Sequence, residues 1–341
     1  MCRRGRPRGR RRERIMSGVA AIDCGTNSVR LLIADVVHVG EDEVQVVDVD
    51  RRMEIVRLGE GVDETGAFAP QALERTFEAL RGYAEAIEAH GIALGPDAVR
   101  MVATSATRDA SNRQVFVDGV RDILGVEPEV VTGLDEAELS FVGATAELEA
   151  EGPGEDLAPP FLVVDIGGGS TEFVLGGALS GDDGELVRAS LSVDIGCVRM
   201  TERHLRSDPP TAQEVAAATA DIEAALDEVE RVVPLREAAS VVCVAGTATT
   251  VAGIALDLPE YDPERIHHTR VGVADLDRIT GELLKATSRE RSMIGVMHPG
   301  RVDVIGAGAL VLSRVLARTG ADSFTASEHD ILDGVAWSLV V

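Results

Sequence analysis

The chain has 341 residues, 45% of them hydrophobic, and a formal charge of −25 at neutral pH. That length and apolar content are enough for two buried cores, while apolar runs such as residues 240–246 are far shorter than the roughly 20 residues a membrane helix needs. The acidic balance argues against duplex nucleic acid as a partner, because such affinity rests on lysine and arginine set against backbone phosphates.

Any anion binding must therefore be local. The single lysine, Lys285, follows no glycine-rich loop, which removes a Walker A site and a kinase-type lysine. Cys2, Cys24, Cys197 and Cys243 form no C-x-x-C pair and suit the reduced thiols of a cytoplasmic protein rather than structural zinc.

Residues 1–15 are rich in arginine but lack the apolar stretch and cleavage site of a secretory signal. They read as a disordered tail or as an extension upstream of a start at Met16. From Gly18 to Leu58 the β-rich runs 20–23, 29–37, 43–49 and 53–58 predict three strands. Pro70 then suits a first helical turn, Leu73, Phe77, Leu80, Ala84 and Ile87 recur at helical spacing, and Gly91 ends the helix. A strand at 98–106, a polar helix at 109–124, a strand at 127–133 and a helix from about Leu134 complete a β-β-β-α-β-α-β-α series. After a Gly/Pro/acidic connection at 151–160 the series restarts, with strands at 161–167, 171–177 and 186–196 and a helix opened by Thr211 and Glu214 as a capping box. A strand at 240–246, helices at 274–287 and 303–319, a strand at 323–327 and a last helix from about Ser327 follow. The series predicts an α/β protein of two duplicated lobes, each with a mixed sheet, and a cleft between them.

Two segments carry the duplication at residue level. AIDCGTNSVRLLI at 21–33 and VVDIGGGSTEFVL at 163–175 align Asp23 with Asp165, Gly25 with Gly167 and Ser28 with Ser170. Each is an apolar strand ending in Asp, a glycine-containing turn and a second strand, a hairpin able to offer backbone N–H groups to an anion. Gly25, Thr26, Asn27 and Ser28, with Gly167, Gly168, Gly169 and Ser170, are accordingly candidate phosphate-binding residues. Aspartates beside phosphate make sense with a divalent cation, Mg²⁺, between them. Asp23 serves equally as a turn cap through its own side chain, whereas Asp165, with Glu172 on the next strand, reads as a metal ligand. Glu172 stands where the first copy has Arg30. A third element, VAGTATT at 244–250, puts Gly246 and Thr247 at a helix start whose free N–H groups suit an anion or simply begin a helix. His267 and His268 lack supporting ligands at metal spacing and read as surface residues.

The ordered set DCGTNSVRLL, TSATRDASN, TGLDEAELSFVG, DIGGGSTEFV and AGTAT resembles the exopolyphosphatase/guanosine pentaphosphate phosphatase family, within the superfamily of actin, sugar kinases and heat-shock chaperones, from about Val19 to the C-terminus. The resemblance implies two ribonuclease H-like lobes. Lobe I would span 16–136, with the C-terminal helix 328–341 returning to it, and lobe II 137–327. It also implies Mg²⁺-dependent removal of a terminal phosphate from inorganic polyphosphate, or from guanosine 5′-triphosphate 3′-diphosphate. Glu136 would be the base that activates water, Arg108 the phosphate-gripping arginine, and Glu172 a further catalytic carboxylate. Arg301 matches a contact to a distal phosphate and serves equally as a structural residue at a helix start. Where relatives commonly carry Arg two residues after the base, this chain has Glu138. The length suggests short polyphosphates and low processivity, and family members are often dimers. A guanosine polyphosphate sensor without turnover is the reading of another class, and a small-molecule kinase would need an adenosine pocket that the sequence does not display.

Overall fold

The structure is a computed structural model that describes residues 14–38, 44–150, 157–177 and 186–340. Residues 1–13 of the arginine-rich segment and 151–156 of the expected connection lie outside them. The N-terminal half contains β1 (Arg14–Cys24), β2 (Ser28–His38), β3 (Val44–Ile55), α1 (Val62–Thr65), α2 (Pro70–Ala89), β4 (Val99–Ala103), α3 (Ser105–Asp109), α4 (Arg113–Leu124), β5 (Glu129–Val130) and α5 (Gly133–Ala150). Next come β6 (Phe161–Ile166), β7 (Thr171–Gly176), β8 (Val187–Val193), α6 (Cys197–His204), α7 (Ala212–Val232), β9 (Ser240–Val244) and α8 (Ala245–Ala255). The chain ends with α9 (Pro263–Ile266), β10 (Arg270–Gly272), α10 (Val273–Lys285), α11 (Ser288–Arg291), α12 (Ile305–Thr319), β11 (Ser323–Ala326) and α13 (Ile331–Trp337).

The first sheet has the order β3-β2-β1-β4-β5 and the second β10-β11-β9-β6-β7-β8. Read from its other edge the second sheet repeats the first, with β6 in the place of β1 and one strand added. In both, the hairpin strands pair antiparallel and the later strands join in parallel, except the added β10, which runs antiparallel to β11. Parallel central strands are covered on both faces, and β6 accordingly buries all of FLVVDI.

The helices follow their local signals. Pro70 stands at the start of α2, Gly91 at φ +76° and Gly320 at φ +74° follow α2 and α12 in the left-handed region, and Thr211 and Glu214 form the capping box of α7. The predicted helix 109–124 is interrupted at Ala110–Asn112, giving α3 and α4, and the last helix begins at Ile331 rather than Ser327. The two runs 43–49 and 53–58 contribute to one long strand, β3, because a bulge opposite Ile33 and Ala34 lets it bend without breaking.

One face of the first sheet packs on α2 and α4 through residues such as Ile22, Leu31, Leu80 and Phe116. Its other face takes Ile331, Leu332 and Val335 of α13. The second sheet buries one face under α7, α8, α10 and α12 and the other under Ala137, Phe141 and Ala144 of α5. Helices α5 and α13 cross where both are glycine: a Cβ on Gly143 would collide with the Asp330 carbonyl, and one on Gly334 with the Leu139 carbonyl. This crossing brings the start of α5 and the start of α13 to the cleft between the sheets. Cys24, Cys197 and Cys243 are free and buried, and among the described residues no helix is long and apolar enough to cross a membrane.

Candidate active site

Both hairpin turns close with the same hydrogen bond, Gly25 N–H to the Ser28 carbonyl at 2.9 Å and Gly167 N–H to the Ser170 carbonyl at 3.1 Å. Their remaining carbonyls are tied down behind the turn. Gly59 donates to the Thr26 carbonyl, and Val56 and Arg57 to that of Asn27. In the second turn Cys197 donates to Gly167, and Val198 and Arg199 to Gly168. In a trans peptide the N–H points opposite to the C=O, so anchoring the carbonyls turns the amides away from that support. Among the described residues, the N–H groups of Thr26, Asn27, Gly168 and Gly169 find no acceptor within the chain. Such successive free amides form an anion cradle. The cradles face each other: a Cβ on Gly168 would lie 2.8 Å from Thr26 Cβ, and one on Gly169 2.7 Å from Thr26 Oγ1.

The cleft between them is lined by Asp23, Gly25, Thr26, Asn27, Ser28, Glu136, Asp165, Gly167, Gly168, Ser170, Gly246, Thr247 and Arg301. These are most of the residues singled out from the sequence. Arg108, Glu172 and Gly169 stand just behind its wall. Sequence reasoning missed Thr104, Ser105, Cys197, Ala245 and Ile331, which also line it. Ser105 is held by a 3.0 Å hydrogen bond with Thr26; its sequence signal is its place in the TSATRDASN motif at the end of a core strand.

Glu136 comes from the first turn of α5. The cap there is formed by Asp135, whose carboxylate accepts from Thr132 N–H and Oγ while Thr132 Oγ1 accepts from Asp135 N–H. Glu136 is thereby released from capping. It is 7% exposed and accepts from Arg108 Nη1 at 2.6 Å, while the same nitrogen donates to the Val131 carbonyl at 3.0 Å. Burial pushes its carboxyl up to about 7, against the pull of Arg108. Arg108 thus pairs with Glu136 rather than with Asp109, which is taken by Arg199.

The two aspartates meet opposite neighbours. Asp23 pairs across the strands with Arg30, and Asp165 with Glu172. Arg30 donates to Asp23 Oδ2 from Nη2 at 2.6 Å and from Nε at 3.0 Å, and its Nη1 binds Asp330 at the start of α13. The positive charge that the sequence assigns to the first copy is therefore spent within the protein. In the second copy Asp165 accepts from Ser140 and Glu172 from Ser192, each at 2.7 Å, and among the described residues no cationic side chain hydrogen-bonds to either. Burial lifts Asp165 to about 6, and burial with Glu136 and Asp165 nearby lifts Glu172 well above the usual carboxylate range.

Helix α8 opens with Ala245 at φ +63°, a strained conformation for a residue with a Cβ. No side chain caps its first amides, so Gly246 and Thr247 present them to the cleft. A Cβ on Gly246 would strike the Arg301 guanidinium, whose Nη1 donates to Thr250 Oγ1 at 3.3 Å. Beside this point a cavity of about 540 Å³ adjoins the cleft, walled in part by Met53, Tyr261, Val296 and Met297. Its walls come from separate segments, and no local motif announces it. His267 and His268 are half-buried and stacked at 3.7 Å, not freely solvated.

The carboxylates suit a hard cation. Among the described residues Asp23 Oδ1 and Glu172 Oε2 are buried without a hydrogen-bond partner, and Asp165 and Glu172 are an acidic pair across neighbouring strands. Among the described residues no three His, Cys, Asp or Glu side chains stand at metal-ligating spacing. Mg²⁺ does not demand that, since one or two carboxylates, water and substrate phosphates commonly complete its octahedron.

The model of the Ppx/GppA phosphatase family matches residues 33–340. Exopolyphosphatase 2 of Mycobacterium tuberculosis is 50% identical over 333 residues, covering 95% of this chain and 99% of the relative. The guanosine-5′-triphosphate,3′-diphosphate pyrophosphatase of Vibrio atlanticus is 28% identical over 94% of this chain and 59% of its own length. A crystal structure of the Aquifex aeolicus member of the Ppx/GppA family superposes with a TM-score of 0.74 at 29% identity, covering 95% of this chain and 97% of that one. With these likenesses added to the paired turns, the chain belongs to the Ppx/GppA phosphatase family.

Proposed function

We propose that the protein is an exopolyphosphatase, a phosphoanhydride hydrolase that removes the terminal phosphate of inorganic polyphosphate with Mg²⁺. The observation that carries this reading is Glu136, buried, fixed by Arg108 and lifted to about 7 beside two facing amide cradles. A carboxylate with that affinity for protons is part-ionised at neutral pH and can take the proton of an attacking water. The cradles hold the phosphoryl oxygens with dipoles already oriented, so little reorganisation is needed as charge shifts to the leaving oxygen. The start of α8 and Arg301 stand where the leaving chain can be held. Asp165, with Asp23 and Glu172 as its neighbours, would hold Mg²⁺, which neutralises phosphate charge in this otherwise acidic cleft.

A second reading has a specific support. The cavity beside Gly246 is walled in part by apolar side chains and shares Gly246 and Arg301 with the phosphate cleft, which suits the nucleoside of guanosine 5′-triphosphate 3′-diphosphate, the compound in the name of the Vibrio relative. Purified protein offered tripolyphosphate and the guanosine nucleotide in parallel, with Mg²⁺ and phosphate release measured, separates the two. Release from tripolyphosphate alone upholds the first reading, release from the nucleotide alone the second. Tight binding without release from either leaves a sensor.

A further inference from the structure

Behind the second turn the lobes meet in a polar seam, and one side chain spans it. Arg199, on α6 of the second lobe, is 9% exposed. Its Nε donates to the Gly169 carbonyl at 2.7 Å, Nη1 to Asp63 at 2.6 Å and Nη2 to Asp109 at 2.5 Å. Asp63 belongs to α1 and Asp109 to α3, the short helix that also carries Ser105 and Arg108. One planar guanidinium therefore joins the anion turn of one lobe to the helix of the other lobe that holds the base.

We infer that Arg199 is a positioning residue, setting both the direction of the Ser170 amide that ends the second turn and the distance between the two cradles. The Gly169 carbonyl accepts from Gly196 N–H at 3.2 Å as well as from Arg199, so the guanidinium supplies the shorter of its two restraints. Fixing that carbonyl fixes the Gly169–Ser170 peptide plane, and with it the Ser170 amide on the opposite edge. The rigid fork of arginine serves three acceptors at once, which an ammonium on a flexible stem cannot do. Neighbouring Arg203 bonds Asp63 at 2.7 and 2.8 Å without touching the turn, so it strengthens the seam without aiming anything.

This inference rests on the hydrolase reading, and the test keeps the two apart. Parent, Arg199→Met, Arg199→Lys and Arg203→Gln are compared for kcat and KM on tripolyphosphate with Mg²⁺, for tripolyphosphate affinity by calorimetry, and for melting temperature. Arg199→Met should lower kcat/KM at least tenfold, with the larger part in KM, because a loosened cradle loses ground-state binding. Arg199→Lys should regain melting temperature more than KM. Arg203→Gln should lower the melting temperature and leave both constants within twofold. An Arg199→Met enzyme with KM within twofold of the parent, or an equal KM rise in Arg203→Gln, overturns the positioning role. Should Arg199→Met not fold, an Arg199→Lys enzyme with parental KM overturns it as well. A parent without turnover defeats the hydrolase reading instead, and the affinities then decide whether Arg199 still aims the cradle.

Discussion

Asp23 and Asp165 occupy the same place at the ends of β1 and β6, yet the residue across the strand pair is Arg30 in one lobe and Glu172 in the other. The backbone device is duplicated and the electrostatics are reversed. In the first lobe the aspartate is locked to an arginine that α13 also holds through Asp330, so a cation of the protein already faces it. In the second, two buried carboxylates are left facing each other and need a proton or a cation. On the reading proposed above, the difference at one cross-strand position gives the two turns separate duties: the first a fixed wall, the second a site for exchangeable positive charge.

The strongest way to break this division is at Glu136, the proposed base beside the turns. Glu136→Gln keeps the side chain's shape and its contact with Arg108 but removes the proton acceptor. Turnover should fall by a factor on the order of 10² to 10⁴, with the melting temperature at or above that of the parent because a buried charge is gone. Phosphate release near the parental rate would take Glu136 out of the mechanism.

The two aspartates should respond oppositely in stability. Asp23→Asn removes one of the two carboxylates hydrogen-bonded to the half-buried Arg30, leaving Asp330, and taking one partner from such a pair should lower the unfolding free energy. Asp165→Asn removes one of two like charges, so at pH 7 without divalent cations its unfolding free energy should be unchanged or higher. Urea unfolding of both variants measures the difference, and equal losses would show that the lobes do not divide charge as described.

Much of this comparison was legible in the sequence because both turns are local motifs with a fixed spacing between Asp, Gly and Ser. The capping box at Thr211 and Glu214, Pro70 and the terminal glycines are legible for the same reason: each acts over four residues or fewer. What stayed hidden was set by distant packing. Nothing near Arg30 indicates that Asp330, 300 positions away, will neutralise it. The cavity beside Gly246 is assembled from several separate segments. Glu136 was identified by family resemblance alone, and its release from capping by Asp135 emerges only from the geometry of the first helical turn.

The second lobe's unbalanced charge should also appear in the pH dependence. Glu136 is lifted from 4.5 to about 7 and Asp165 from 3.8 to about 6, so across those intervals the folded state binds more protons than the unfolded one. Stability contributed by these groups is complete below the unfolded values and is lost as pH rises through the folded ones. Asp63 and Glu223, held low by arginines, act in the other sense, and their contribution is lost in more acidic solution. Melting temperature without divalent cations should therefore decline from pH 5 to pH 8. The decline should be smaller in Asp165→Asn and in Glu136→Gln, whereas an unchanged slope in both variants would place the titrating groups elsewhere.

The smallest effect is expected at Glu138, where the family resemblance leads one to expect arginine. Two residues along a helix point about 200° apart, so a side chain at 138 cannot share the direction of Glu136, and Glu138 is exposed while Glu136 is buried. Its charge is screened by water and salt over roughly 8–10 Å. Restoring the arginine with Glu138→Arg should leave kcat on tripolyphosphate within about twofold and stability within about 0.5 kcal/mol. Any change should be a modest fall in KM that disappears as ionic strength is raised, since an outward arginine can steer a polyanion without gripping it. A large rise in kcat that persists in high salt would instead mean that position 138 reaches the cleft, and that the first turn of α5 supplies two functional side chains rather than one.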